Sequence, residues 1–208
     1  MRRLRLGKRF PAGTRNRSGP AMKVVVGLGN PGPEYDATRH NVGWWLLDRL
    51  AYEWDFPMFR GEGRALVSDG SRGDERFLLM KPTTYVNRSG QALSALVALT
   101  DFQPETDLLV VVDDAALDVG RVRFRPRGSA GGHKGLRSVS RALGSDGFPR
   151  LRIGVGVPPE GMDLSDWVLS PMGPEDEDVI LGLLPDLVRG VEVWGTEGME
   201  SAMNNFNR

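Results

Sequence analysis

From Lys23 onward, hydrophobic and polar positions change period repeatedly along the chain. Runs of strand length, apolar or alternating, occur at Lys23 to Gly27, Arg76 to Met80, Leu108 to Asp113, Arg121 to Arg125 and Arg152 to Val157. Between and after them, helical spacing predicts helices over about 39–53, 89–99, 134–143 and 175–194. In the first of these, Val42, Trp45, Leu46 and Leu50 follow the i, i+3, i+4, i+8 spacing of one buried face. Strands interleaved with helices predict an α/β fold, a single domain whose mixed, twisted β-sheet carries helices on both faces. Gly/Pro clusters at 27–33, 126–135 and 156–161 read as loops within that domain, which is expected to span residues 22–208.

Residues 1–21 fall outside this pattern. They hold seven basic residues, no acid and no apolar core of the kind a secretory signal carries. The segment is expected to be a disordered basic extension, and a start site assigned too far upstream accounts for it equally well, because Met22 directly precedes the first strand. The longest apolar run, Leu108 to Val112, is far too short to span a membrane. With no cysteine, the chain has no disulfide, no thiolate metal site and no cysteine nucleophile, and it suits a reducing cytoplasm. His40 and His133 are its only imidazoles, so a histidine-rich metal site is not expected and a histidine base must be one of these two.

The formal net charge of zero conceals a segregation. Beyond residue 21 the chain carries 20 basic against 27 acidic residues, yet residues 121–141 contain Arg121, Arg123, Arg125, Arg127, Lys134, Arg137 and Arg141 with no acid among them. A basic patch on an acidic body fits a polyanion that docks at one place, although a solvated strand and helix face has the same composition.

The stretch Gly27-Leu28-Gly29-Asn30-Pro31-Gly32 satisfies G-x-G-x-x-G after a strand, the pattern of a dinucleotide-binding turn. Three features oppose that reading. Pro31 and Pro33 remove N–H groups that a pyrophosphate would need. The next helix is expected only near Thr38 or Arg39, and the acid at the ribose-binding distance, Asp48, lies inside an amphipathic helix. What the loop does offer is Asn30 just past a strand end, with His40 ten residues on. Thr38 as an N-cap would place His40 in a first helical turn, where the helix dipole favours the neutral ring that a general base requires.

The segment VGLGNPGPEYDATRHNVGWWLLDRLA resembles the opening of bacterial-type peptidyl-tRNA hydrolases. The resemblance continues in order through MKPTTYVNRSGQAL, VVDDAALDVGRVRFRPRGSAGGHKGLRS, RLRIGVGVP, DWVLSPMGPEDE and AMNNFN, covering the chain from Met22 onward. It implies hydrolysis of the ester between a peptide and the 3′-terminal ribose of tRNA, by a cytoplasmic monomer that uses no metal or other cofactor. It places the catalytic histidine at His40 and its partner acid at Asp113. A carboxylate on one ring nitrogen would fix the tautomer and stabilise the imidazolium as it forms. Asn30 and Asn87 fall on the family's two functional asparagines, whose amides can hold the peptide or an oxyanion. Tyr35 falls on a tyrosine near the site, and Arg125 and Arg152 on basic positions that clamp the tRNA 5′-phosphate. The acceptor stem and 3′ end would be the parts of tRNA contacted, read by shape and backbone charge.

Two positions depart from the family's pattern. Lys134 stands where asparagine is usual beside the acceptor end, which implies altered substrate contacts without loss of hydrolysis. Ala116 and Asp118 replace the usual acid and proline in the loop after Asp113, leaving its conformation open. Relatives of the fold include RNA-binding factors without hydrolytic activity, and that module is the alternative to an enzyme. A nucleotide-dependent oxidoreductase is the third reading and predicts tight NAD(P) binding.

Overall fold

The computed structural model describes residues 22–98 and 101–208. The expected basic extension over 1–21, and the end of the helix expected over 89–99, lie outside or at the edge of the described residues. Seven strands form one sheet: β1 Lys23–Gly27, β2 Arg60–Glu62, β3 Ala65–Arg72, β4 Glu75–Pro82, β5 Leu108–Asp114, β6 Val122–Arg125 and β7 Arg150–Gly154. Their spatial order is β2-β3-β4-β1-β5-β7-β6. The central strands β4, β1, β5 and β7 run parallel. The outer pairs β2–β3, β3–β4 and β6–β7 are antiparallel, so the sheet is mixed.

Alternation explains why the central strands are apolar throughout. Val25, Leu109 and Val111 enter one core, with Ile180, Leu187 and Trp194, whereas Val24, Val26, Leu108 and Val110 enter the other, with Leu93 and Leu136. The first core lies under helices α1 Val42–Glu53, α6 Pro174–Glu197 and α7 Met199–Phe206. The second lies under a 3-10 stretch Val86–Leu93 that continues into α2 Ser94–Val97, and under α4 Lys134–Leu143. Two short helices, α3 Pro104–Asp107 and α5 Leu164–Leu169, complete the α-helices of the described residues. Helices therefore cover both faces.

Differences from the sequence expectation are local. The β2–β3 strands were not expected, because at this edge polar residues such as Arg60, Ser71 and Arg72 face water. The last parallel strand is Arg150–Gly154, starting two residues and ending three residues earlier than expected, since its register is fixed by pairing with β5 and β6. The expected helix over 89–99 is mainly 3-10, with buried Gly90 packed so closely on α4 that a Cβ there would sit 2.1 Å from the Ser138 carbonyl oxygen. α4 and α6 follow their signals well. Gly144 closes α4 at φ 69, and Pro174 opens α6 ahead of Glu175, Asp176 and Glu177.

The glycine loop belongs to this packing. A Cβ on Gly27 would lie 2.5 Å from the Gly43 carbonyl oxygen, and one on Gly43 would lie 2.6 Å from that of Leu28. These glycines let α1 cross the end of β1 at backbone distance. No helix starts inside the motif: only short 3-10 turns, Pro33–Tyr35 and Arg39–Asn41, precede α1.

Candidate active site

The parallel strands end where their order switches direction, at β1 between β4 and β5, the position at which open α/β sheets receive ligands. Asp113 lies near the end of β5 and is buried there by neighbours on both faces. From the α1 face, the turn Arg39–Asn41 brings His40 to it. From the α4 face, the loop before that helix brings His133. His40 Nδ1 is 2.7 Å from Asp113 Oδ1, and His133 Nε2 is 3.0 Å from the same oxygen. The two imidazole centroids are 5.2 Å apart.

Hydrogen bonding fixes both tautomers. A carboxylate only accepts, so His40 carries its proton on Nδ1 and leaves Nε2 with a free lone pair. His133 is the N-cap of α4: its Nδ1 accepts from the Leu136 backbone N–H at 3.1 Å, so the ring proton is on Nε2 and points to Asp113. Burial is the largest single influence on His40 and lowers its pKa. The charge and hydrogen bond of Asp113 together outweigh burial and the opposing charge of Lys134, and hold the pKa above its ordinary 6.5. For Asp113, burial acts upward most strongly, but the charges and hydrogen bonds of His40 and His133 keep it ionised far below the usual carboxylate range.

His40, Asp113 and His133 also place their ligand atoms within 4.8 Å of one another, a spacing compatible with a divalent ion. The tautomers oppose that use. The Leu136 N–H claims the Nδ1 lone pair of His133, and a metal at Nε2 would have to displace the remaining proton and leave an imidazolate.

Thr38 occupies the N-cap position but its side chain does not cap; its hydroxyl donates to the Tyr35 carbonyl at 2.7 Å. His40 therefore sits in a three-residue 3-10 turn ahead of α1, and the expected dipole effect gives way to that of Asp113. Asn30 is held on three sides. Its backbone N–H donates to Asn41 Oδ1 at 2.8 Å, Asn41 Nδ2 donates to its carbonyl at 3.0 Å, and its Oδ1 accepts from the Val86 N–H at 2.9 Å. Among the described residues, the Asn30 Nδ2 protons have no partner and form the free end of the amide. Asn87 follows Val86 in the chain and is exposed, and nearby Tyr35 meets Tyr85 edge-on at 6.5 Å.

The basic residues gather on the opposite rim. Register pairs Arg123 with Arg152 and Arg125 with Arg150, so all four side chains leave one face of the β6–β7 edge. Arg150 is buried and donates to the carbonyls of Gly128, Asp146 and Phe148, which props the loop leading to His133. Arg123 bonds the Arg208 carbonyl at 2.6 Å. Arg152 Nε pairs with buried Asp114 Oδ2 at 2.9 Å, so one side of this guanidinium is already engaged. Arg125 and Lys134 are exposed. The loop after Asp113 is closed by Asp114, whose Oδ1 accepts from the Ala116 N–H at 3.0 Å.

A family model described as peptidyl-tRNA hydrolase matches residues 24–208. The chain belongs to the peptidyl-tRNA hydrolase family. The peptidyl-tRNA hydrolase of Symbiobacterium thermophilum is 45% identical over 195 residues, spanning 89% of this chain and 98% of that protein. That of Gemmatimonas aurantiaca is 42% identical over 190 residues, spanning 90% of this chain and 100% of that protein. The crystal structure of peptidyl-tRNA hydrolase from Acinetobacter baumannii aligns with a TM-score of 0.84 at 29% identity, covering 92% of this chain and 97% of that one.

In this member of the peptidyl-tRNA hydrolase family, the fold adds residues that the sequence reading did not assign to the site. His133 was visible as one of two histidines, beside the basic segment, but its bond to Asp113 depends on α4 crossing the sheet. Asn41 follows His40 directly, yet its grip on Asn30 carries no local sequence signal. Asp114 follows Asp113 directly in β5 and holds Arg152.

Proposed function

We propose that the protein hydrolyses the ester of peptidyl-tRNA, rescuing tRNA from peptidyl-tRNA released during translation, with His40 as the general base. The 2.7 Å contact between His40 Nδ1 and Asp113 carries this reading, because it leaves Nε2 free to accept a proton from water. The hydroxide formed attacks the ester carbonyl carbon. The oxyanion that develops is met by amide protons at the rim, from Asn30 Nδ2 and from Asn87. As the intermediate collapses, the ribose 3′-oxygen leaves with the proton held on His40. The products are a tRNA with a free 3′-hydroxyl and a peptide carboxylic acid, which loses its proton to water and departs as the carboxylate. Asp113 holds the imidazolium throughout and is not itself protonated.

Charge segregation supports the substrate's orientation. The acceptor stem lies along the Arg125, Arg152 and Lys134 rim, where arginine forks suit phosphate oxygens. The peptide and terminal adenosine lie toward Asn30, Tyr35 and Asn87. One copy of the chain contributes the whole set of residues, which fits a monomer, and the cytoplasm is where peptidyl-tRNA is made. No helix of the described residues is long and apolar enough to cross a membrane.

The deciding experiment measures peptide release from a short peptidyl-tRNA by the wild type and by His40→Ala. Release by the wild type that is lost in His40→Ala is expected. If the wild type binds tRNA and releases nothing, the protein is a non-catalytic RNA-binding member of the fold. The oxidoreductase reading has no support in the glycine loop, which offers no helix N-terminus, and Asp48 is engaged by Lys81.

A further inference from the structure

We infer that Arg39 is a positioning residue, a latch that ties the short helix α5 to the turn carrying His40. The inference rests on His40 being the base. Arg39 directly precedes that histidine, and its side chain is only 6% exposed although it is permanently charged. A buried guanidinium must be matched on several sides. Here Nη1 donates to Ser170 Oγ at 2.8 Å and to the Pro171 carbonyl at 2.7 Å, while Nη2 meets Asp176 Oδ2 at 3.3 Å. The plane stacks over Trp167, 3.5 Å from the ring centroid. All four partners lie on α5, on the segment after it, or in the first turn of α6.

α5 has little else to hold it. It is six residues long, and none of them is buried. A helix of that length is not stable by itself and needs tertiary contacts. Its neighbourhood keeps apolar side chains in water: Val157 is 62% exposed, Met162 44% and Leu164 50%. Among the described residues, the other side-chain hydrogen bond from α5 to the body is that of Trp167 Nε1, which donates to the Gly156 carbonyl at 2.7 Å. Backbone contacts then join α5's exit to the histidine turn: Arg39 N–H donates to Ser170 O, and Met172 N–H to Ala37 O.

The turn Arg39–Asn41 is thus gripped from two sides. On the inner side His40 is bound to Asp113, and on the outer side Arg39 is bound to α5 and its exit. Freeing the outer grip lets the three-residue turn shift against β5. Catalytic geometry is steep, since a displacement of about 1 Å can cost about a hundredfold.

The test compares Arg39→Lys, Trp167→Leu and, as a control, Arg49→Gln on the exposed side of α1, where Arg49 pairs with Glu53. Lysine keeps the charge, but its three donors sit on one nitrogen, which cannot span acceptors spread over both guanidinium amino groups or stack as a plane. Arg39→Lys is expected to lower kcat about ten- to hundredfold while KM for a short peptidyl-tRNA stays within about threefold of wild type. Amide exchange over Trp167 to Met172 should quicken, and the Nδ1–H signal of His40 should broaden, in the same variant. Trp167→Leu, which leaves the turn itself untouched, should shift all three readouts in the same direction by less, and the control should shift none. A folded Arg39→Lys with faster exchange at α5 but wild-type kcat overturns the inference, and so does a loss of kcat with unchanged exchange and an unchanged His40 signal. Should Arg39→Lys not fold, Trp167→Leu decides by the same criteria. The exchange and ring-proton measurements need no substrate, so failure of the hydrolase reading would show as an inactive wild type and remain separate from failure of the latch.

Discussion

Asp113→Asn isolates the contribution of one charge. The substitution preserves shape and leaves an oxygen able to accept from His40 Nδ1 and His133 Nε2, which now lie 2.7 and 3.0 Å from Asp113 Oδ1. What it removes is the negative charge opposite the imidazolium that forms as water is deprotonated. For a separation of about 4 Å and an effective dielectric of about 20, that attraction is worth about 4 kcal/mol. Lost from the transition state alone, it corresponds to a fall in kcat of about a thousandfold. The pH dependence gives a second, independent sign. The base must be neutral, so activity rises with pH through the pKa of His40, which Asp113 holds above 6.5 in the wild type. Without Asp113, burial and the Lys134 charge remain and both act downward. The acid limb of the variant should therefore move to lower pH while the plateau drops. Single-turnover release of peptide, followed from about pH 5 to pH 9 across the histidine range, measures both. A plateau within about tenfold of wild type, well short of the factor expected for a lost charge, would refute the reasoning. So would an acid limb displaced upward.

Other outcomes follow from the same geometry. His133→Ala removes the N-cap of α4 as well as the second donor to Asp113, so it should cost about 1 kcal/mol in urea unfolding and lower kcat; His133→Gln should recover part of the activity if donation to Asp113 matters. Lys134→Asn removes a charge that lowers the His40 pKa, so the acid limb should shift upward, and the salt slope of tRNA binding should fall by about one phosphate contact. Arg125→Ala and Arg152→Ala should both weaken tRNA binding, but only the latter should destabilise the fold, by about 1–3 kcal/mol, because it leaves buried Asp114 without its cation. Equal stability of those two variants in a thermal melt would argue against a structural role for the Arg152–Asp114 pair.

Much of the fold could be read locally. The apolar run of β5 had the length of a strand, and helical spacing over 175–194 marked α6. Pro31 and Pro33 were enough to set the glycine loop apart from a pyrophosphate seat, because a missing N–H is a property of the residue and not of its surroundings. Where polarity and burial diverge, local signals fail. The β2–β3 edge is polar because it faces water on one side, and the 3-10 stretch Val86–Leu93 departs from an α-helix where Gly90 packs against α4. The site depended on tertiary structure still more. His40 and Asp113 could be assigned their parts only by resemblance, since they lie 73 positions apart and meet because β1 and β5 are neighbours with α1 crossing at Gly43. The two protons shared with Asp113, the grip of Asn41 on Asn30 and the burial of Arg39 under α5 have no signature in residue type or spacing. Side-chain chemistry is carried by each residue alone, but a hydrogen bond also needs a distance and a direction, and for these residues only the packing of helices on the two faces of the sheet supplies both.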